Sequence, residues 1–266
     1  MTDTTSELTS RRDGHRLTIT LDRAGSRNAL TTALLEGIVE HARAGVSDGA
    51  RVVVVQGDGP AFSAGADLGE HKNTSALPVG EQHAAYSRMS RALDDFEALP
   101  VIKLARLHGA VVGAGLVLAS VCELRIADSS ARFSVPEVSL GVPFSMAGFP
   151  RLVRLVGLTR ATELMLTPTT MDAAEAERAG LVTRVVDPQD LDRVVDEVAA
   201  HVASLPSLLV ADAVDRIRKA GAGLVPTPEV DVSGLALASA DPECQRASAV
   251  YTARVARKSD SPEVHR

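Results

Sequence analysis

The sequence has no tryptophan, only two tyrosines and five phenylalanines, and just two cysteines in 266 residues. With aromatics at 3% and hydrophobic residues at 45%, a core has to be built from Ala, Val and Leu, side chains that suit close packing of helices on a sheet. Cys122 and Cys244 lie far apart in the chain and form no metal-ligand spacing, so they read as free thiols of a reducing compartment. There is no basic excess. Lys and Arg number 28 against 34 Asp and Glu, a net charge of −6, which leaves no electrostatic footprint for nucleic acid. No apolar run approaches the length of a membrane span. The opening "MTDTTSELTSRRDGHR" is polar and lacks the apolar segment of a signal peptide. The expectation is a soluble cytoplasmic protein with a mobile tail over residues 1–14.

What is present is an alternation of strand and helix signals, in a chain long enough for one large domain or a domain with an appendage. "RLTITLD" (16–22) alternates like a strand, and "ARVVVVQG" (50–57) is a β-branched buried run. "VIKLARLHG" (101–109), "ELRIAD" (123–128) and the shorter "SARFSVPE" (130–137) follow. "NALTTALLEGIVEHARAG" (28–45) places Leu30, Leu34, Ile38 and Ala42 on one helical face ending at a glycine. "MDAAEAERAGLV" (171–182) reads as a short helix with Asp172 as cap, Glu175 completing a capping box and Gly180 ending it. Residues 69–80, "GEHKNTSALPVG", read as a loop, either a lid or an ordinary surface connection. From about Leu205 the chain turns mostly helical. The pattern predicts an α/β fold with parallel pairing over residues 1–204 and a helical region over 205–266, for packing or oligomerisation.

One segment, "GAVVGAGLVLASVCEL" (109–124), is rich in glycine and free of charge until Glu123. A dinucleotide-binding loop needs a third glycine that Leu116, Val117 and Leu118 replace, and a P-loop needs a Gly-Lys-Ser/Thr that does not follow. On composition alone, a buried helix starting close against a sheet is favoured. A third reading is that free N–H groups at the positive end of such a helix stabilise an oxyanion. "GPAFSAGADLGEH" (59–71), a second Gly/Ala turn after a strand, supports this third reading, because two such turns can each supply one donor.

In "LDRAGSRNAL" (21–30), "AFSAGADL" (61–68), "HGAVVGAGLVLASVCELRIAD" (108–128), "ARFSVPEVSLGV" (131–142) and "AERAGLVTRVV" (176–186), the sequence resembles the crotonase family, the enoyl-CoA hydratases and isomerases. The resemblance covers roughly the first 200 residues. It implies an α/β fold, a crotonase-like spiral of ββα turns with a C-terminal helical region, assembled as a homotrimer or dimer of trimers. It implies an acyl-CoA thioester as substrate, with no metal and no cofactor beyond coenzyme A itself. The two oxyanion donors map to the N–H groups of Ala66 and Ala114, and the catalytic base to Glu137. Arg27, Ala29, Ala64, Asp67, Leu68, Val117 and Phe144 map to the surroundings of the substrate. The CoA moiety is expected against backbone groups near Arg27 and Ala29. Arg254, Arg257 and Lys258 are candidates for its phosphates, although a solvated helix face is the preferred reading of those three.

The sequence departs from the family's hydratases at Val117, where they carry a second glutamate. Valine cannot hold or activate a water, and Glu123 reads as structural. A single carboxylate suffices to move a proton between C2 and C4, so the favoured chemistry is double-bond isomerisation with Glu137 alone. The dienoyl branch has another acid where this chain has Ser145 and is disfavoured. Phe144, Met146 and Phe149 replace a glycine-rich turn and would make the acyl pocket more apolar. Two alternatives stay open: a hydratase in which Glu70, His71 or His83 substitutes for the missing acid, and an acyl-CoA binding protein without chemistry.

Overall fold

The computed structural model describes residues 2–5, 7–224 and 231–259. In chain order the elements are β1 (Thr2–Thr5), β2 (Leu8–Asp13), β3 (Arg16–Leu21), α1 (Thr32–Ser47), β4 (Val52–Gly57), α2 (Leu68–Ser75), α3 (Val79–Glu97), β5 (Ile102–Leu107), β6 (Ala110–Val112), α4 (Ala114–Ser120), β7 (Leu124–Asp128), β8 (Arg132–Ser134), α5 (Gly148–Leu166), β9 (Met171–Asp172), α6 (Ala173–Arg178), β10 (Arg184–Val186), α7 (Leu191–Ser204), α8 (Ser207–Leu224), α9 (Asp231–Ala240) and α10 (Pro242–Ser259). The larger sheet runs β1-β2-β3-β4-β5-β7-β10, and the smaller runs β6-β8-β9. From β3 to β10 the large sheet is parallel.

Successive turns of the chain repeat one plan. β5 enters the large sheet, β6 the small one, and α4 follows; then come β7, β8 and α5. The turn after β4 joins the same small layer through a parallel bridge between Ser63 and Val111. This is the expected strand–strand–helix spiral. Its central strands are continuous β-branched runs because both faces are covered. Val53 and Val55 face the main core with α1 and α4, while Val52 and Val54 face α7.

The structure corrects three expectations. Residues 8–13, expected within a mobile tail, are a strand, and β1 (Thr2–Thr5) pairs antiparallel with it at the same sheet edge. Leu8 and Ser10 alternate inward, and β2 pairs antiparallel with β3 across a tight turn at Gly14, whose φ is 55°. Residues 69–80 are mostly helical, as the end of α2 and the start of α3. Asp67 caps α2 by accepting from the N–H groups of Gly69 and Glu70, at 2.9 and 3.0 Å. Leu30 lies outside the helix expected over 28–45. It bridges to Ala66, and α1 starts behind a Thr31 cap and runs to Ser47. The capping box of Asp172 and Glu175 is as expected.

Two buried cations fix the layers. Lys103, fully buried, pairs with Glu123 at 3.0 Å and donates to the carbonyls of Glu97, Leu99 and Val101. Glu123 also accepts from the Lys103 N–H, so it is a structural residue. Arg151 ties α5 to α3 through Asp94 and Glu97, at 2.7 and 2.6 Å.

Candidate functional site

The site forms where three chain reversals meet: residues 27–30, residues 61–67, and the start of α4. Asn28 holds the first two together. Its backbone is left-handed (φ 56°), it is fully buried, its Oδ1 accepts from the Arg23 N–H, and its amide donates to the carbonyls of Asp58 and Ala61, both at 2.8 Å. Ser63 adds a second clamp, donating to the Asn28 carbonyl and accepting from the Gly65 N–H. The 61–67 segment then runs alongside β6, the Ser63 N–H donating to the Ala110 carbonyl and the Ser63 carbonyl accepting from the Val112 N–H, both at 3.0 Å.

These contacts bring the two expected donors together. A β-carbon on Gly65 (φ 101°) would lie 3.0 Å from the Val112 carbonyl oxygen and 3.7 Å from the Ala114 nitrogen. Only glycine lets the two turns approach so closely. The N–H groups of Ala66 and Ala114 donate to no acceptor among the described residues. Ala114 is the first residue of α4, so its N–H has no partner in the helix ladder and carries part of the positive end of the dipole. Ala66 is exposed and Ala114 is buried.

Glu137 stands over this helix start. A β-carbon on Gly113 would meet Glu137 Oε1 at 2.1 Å, so the carboxyl rests directly on the Gly113 backbone. The Glu137 carbonyl accepts from the N–H groups of Leu140 and Val142, at 2.9 and 3.0 Å, which fixes its own backbone. Its Oε2 is buried and accepts no hydrogen bond among the described residues. Burial raises its pKa to about 7, against a weaker opposing bond from its own backbone. A carboxyl with this proton affinity is matched to general acid–base work near neutral pH.

Val117 lies one helical turn after Gly113, bonded to it N–H to carbonyl at 3.0 Å, and is 1% exposed. It shares an apolar cluster with Ala114, Phe144 and Met146. Phe144 packs its ring on Gly148, and Phe149 is half-buried against the same cluster. Met146 and Ala147 hold left-handed backbones (φ 58° and 51°), costly for residues with a β-carbon, and the Arg151 guanidinium donates to the Met146 carbonyl to keep them there.

The remaining expected residues gather at the outer rim. Arg27 is exposed and left-handed, and its carbonyl accepts from the Ala64 N–H at 2.8 Å. The Ala29 carbonyl accepts from Arg23. Each carbonyl therefore has one lone pair engaged and one left. Asp67 pairs with Arg23 at 3.1 Å. Burial opposes its ionisation, but bonds from the Glu70 N–H and from Arg23 hold its carboxyl below the usual range. Leu68 is exposed beside it.

The expected substitutes for a second acid are engaged elsewhere or exposed. Glu70 accepts from the Thr32 N–H, capping α1. His71 bonds the Tyr86 hydroxyl at 3.2 Å, and burial lowers its pKa. His83 is exposed on α3 beside Ser87. Arg254 is exposed on α10, and the side chains of Arg257 and Lys258 lie outside the described residues. Among the described residues, no three His, Cys, Asp or Glu side chains come together as a metal site. Sequence reasoning missed Asn28, whose signal was an asparagine at a sharp turn. It also missed Arg23, which had none.

Residues 14–224 match the model of the enoyl-CoA hydratase/isomerase family. The crotonyl-CoA hydratase of Syntrophomonas wolfei is 36% identical over 204 residues, covering 76% of this chain and 75% of that protein. The crystal structure of an enoyl-CoA hydratase from Mycobacterium avium subsp. paratuberculosis superposes with a TM-score of 0.80 at 25% identity, over 94% of this chain and 96% of that one. A Thermobifida fusca structure solved in complex with CoA has a TM-score of 0.74 at 27% identity, over 96% of this chain and 95% of that one.

Proposed function

The chain belongs to the enoyl-CoA hydratase/isomerase family, and on that premise we propose that it moves the double bond of an enoyl-CoA thioester with Glu137 as the single acid and base. The acyl-CoA substrate follows from the family, and the relative solved with CoA supports it. In this reading the thioester carbonyl oxygen accepts from the N–H groups of Ala66 and Ala114. The Glu137 carboxylate removes a proton from C2 of a 3-enoyl-CoA. The C2–H electron pair forms a C1–C2 double bond while the carbonyl π pair moves onto the thioester oxygen, giving a dienolate whose negative charge is held between the two N–H groups. As C4 is protonated, the oxygen pair re-forms the carbonyl, the C1–C2 π pair becomes the C2–C3 double bond, and the C3–C4 π pair takes the proton. Glu137, now protonated, returns the proton at C4 and the product is a 2-enoyl-CoA. Atoms and charge balance without water. Each fixed donor is worth about 3–4 kcal/mol of barrier in comparable sites.

The observation that carries the reading is the pairing of Glu137, unpartnered at Oε2 with its pKa raised to about 7, with an apolar Val117 one turn above Gly113. A second carboxylate to orient water is missing at that position. Retention of the raised carboxyl also argues against a binding protein without chemistry. A second reading, hydration of a 2-enoyl-CoA, has specific support in the name of the Syntrophomonas relative, a crotonyl-CoA hydratase. A parallel assay of 2-enoyl-CoA and cis-3-enoyl-CoA, with Glu137→Gln as control, separates the two. Turnover of the 3-enoyl substrate with slow hydration supports isomerisation, and fast hydration of the 2-enoyl substrate overturns it. We also infer assembly as a trimer or dimer of trimers, for which the exposed Leu208, Leu209, Ile217 and Leu224 of α8 are the support.

A further inference from the structure

Of the two N–H groups assigned as donors, only that of Ala114 opens a helix. Ala66 precedes the Asp67 cap of α2 and is bridged to Leu30 instead. The Leu30 N–H donates to the Gly65 carbonyl at 2.7 Å, and the Leu30 carbonyl accepts from the Asp67 N–H at 2.9 Å. A trans peptide group is planar, with its C=O and N–H pointing in opposite directions. The Gly65 carbonyl and the Ala66 N–H belong to one such group, so the bond from Leu30 aims the Ala66 N–H away from Leu30. The same relation holds one step back. The Leu30 N–H shares its peptide group with the Ala29 carbonyl, and that carbonyl accepts from Nη1 of Arg23. Two peptide groups in series therefore connect the Arg23 guanidinium to the Ala66 N–H.

Arg23 is held at both ends. Its backbone N–H donates to Asn28 Oδ1 and its carbonyl accepts from the Asn28 N–H, both at 2.9 Å. Its Nε pairs with Glu7 at 3.0 Å, and its Nη1 with Asp67 Oδ2 at 3.1 Å. The other oxygen of Asp67 caps α2. The Arg23 side chain is mostly buried, so water screens it little. The two carboxylates offset its net charge, but the bond from Nη1 to the Ala29 carbonyl is still charge-assisted, roughly twice as strong as one between neutral groups. Hydrogen bonds in a chain polarise one another: a carbonyl that accepts makes the N–H of its own peptide group a stronger donor.

We propose that Arg23 is a positioning residue for the Ala66 donor, fixing the direction of its N–H and strengthening it through the Ala29–Leu30 and Gly65–Ala66 peptide groups. The catalytic consequence rests on the function proposed above; the hydrogen-bond chain does not. The test is Arg23→Gln, with Arg23→Lys as a second variant that keeps a cation but loses the fork that reaches Glu7, Asp67 and Ala29 together. Amide hydrogen exchange in the ligand-free full chain reads the bonds directly. The reference is the Ser63 amide, whose bond to the Ala110 carbonyl does not involve Arg23, so a general loss of stability cancels. Relative to Ser63, the Leu30 amide is expected to exchange about ten-fold faster in Arg23→Gln and about three-fold faster in Arg23→Lys. A second readout is bound butyryl-CoA labelled with carbon-13 at its thioester carbonyl. The downfield shift of that carbon on binding should shrink in Arg23→Gln. In α-proton exchange, kcat should fall about ten-fold with KM little changed, short of the roughly 10²–10³-fold loss for a missing donor. A Leu30-to-Ser63 exchange ratio equal to wild type in either folded variant overturns the inference. A faster Leu30 amide with an unchanged carbonyl shift also overturns it, because the chain would then end short of Ala66. A carbonyl that does not shift on binding to the wild type overturns the proposed function instead, and leaves the exchange ratio to decide the role of Arg23.

Discussion

The Glu137 carboxyl rests on the backbone of Gly113, so closely that a β-carbon there would stand 2.1 Å from Oε1. Gly113 has φ 49° and ψ −118°, a conformation that residues with a β-carbon avoid. The proposed base, the helix start and the proposed oxyanion donor at Ala114 thus depend on one missing methyl group.

Gly113→Ala is therefore expected to lose α-proton exchange by at least 10²-fold, because Glu137 must move and the Ala114 N–H is re-aimed. Thermal unfolding should also show a loss of about 1–3 kcal/mol from backbone strain. Exchange of acyl-CoA α-protons in D₂O, followed by NMR, measures the first effect. Near wild-type exchange would show that the contact is dispensable.

Glu137→Gln keeps the shape of the side chain and removes the base. Exchange should fall by about 10²–10⁴-fold. In the wild type, kcat/KM should rise with pH to a plateau with its midpoint near the raised pKa of about 7. A profile flat from pH 5 to 9 would assign proton transfer to another group.

The same substitution should stabilise the protein at alkaline pH. A carboxyl with folded pKa about 7 against an ordinary 4.5 binds more protons folded than unfolded between those values. Stability therefore falls as pH rises through that window, by on the order of 3 kcal/mol when the shift is complete. Glu137→Gln should accordingly unfold a few degrees higher than wild type at pH 8, with the difference fading toward pH 4.5. Parallel thermal melts at the two pH values check this.

Asn28→Ala removes the side chain that joins the turns at residues 27–30 and 58–62. It leaves the Arg23 N–H and the carbonyls of Asp58 and Ala61 without their partner. A loss of about 2–4 kcal/mol in denaturant unfolding is expected, together with weaker acyl-CoA binding, because residues 63–66 lose their support.

Glu123→Gln tests the opposite assignment. It breaks the pair with fully buried Lys103 and should cost about 3 kcal/mol of stability. Exchange rates measured below the melting transition should remain close to wild type. A catalytic loss with unchanged stability would mean that Glu123 has a chemical role.

Much of this was legible in the sequence because the signals are local. β-branched runs such as "VVVV" at 52–55 marked buried parallel strands, and Asp172 with Glu175 marked a helix start. The glycines at 65 and 113 marked close backbone approaches, and the charge-free stretch through Val117 marked an apolar helix. The family resemblance placed Ala66, Ala114 and Glu137, since it compares residues in register. The N-terminal strand was not legible. "LTSRRD" (8–13) is largely polar, and only its pairing with β3 makes it β structure. The helix at Leu68–Ser75 was hidden for a similar reason: its polar composition resembles a loop, and the Asp67 cap defines it.

Through the family resemblance the sequence named the proposed base, and by itself it determined the strand and helix order and the glycines that permit close turns. These depend on backbone permissiveness and side-chain pattern, which are properties of neighbouring residues. Tertiary structure alone decided that Gly65 and Ala114 lie side by side, that Asn28 joins two turns thirty residues apart, and that burial raises the Glu137 pKa to about 7. Desolvation and charge interactions depend on distance in space, and sequence separation does not encode that distance.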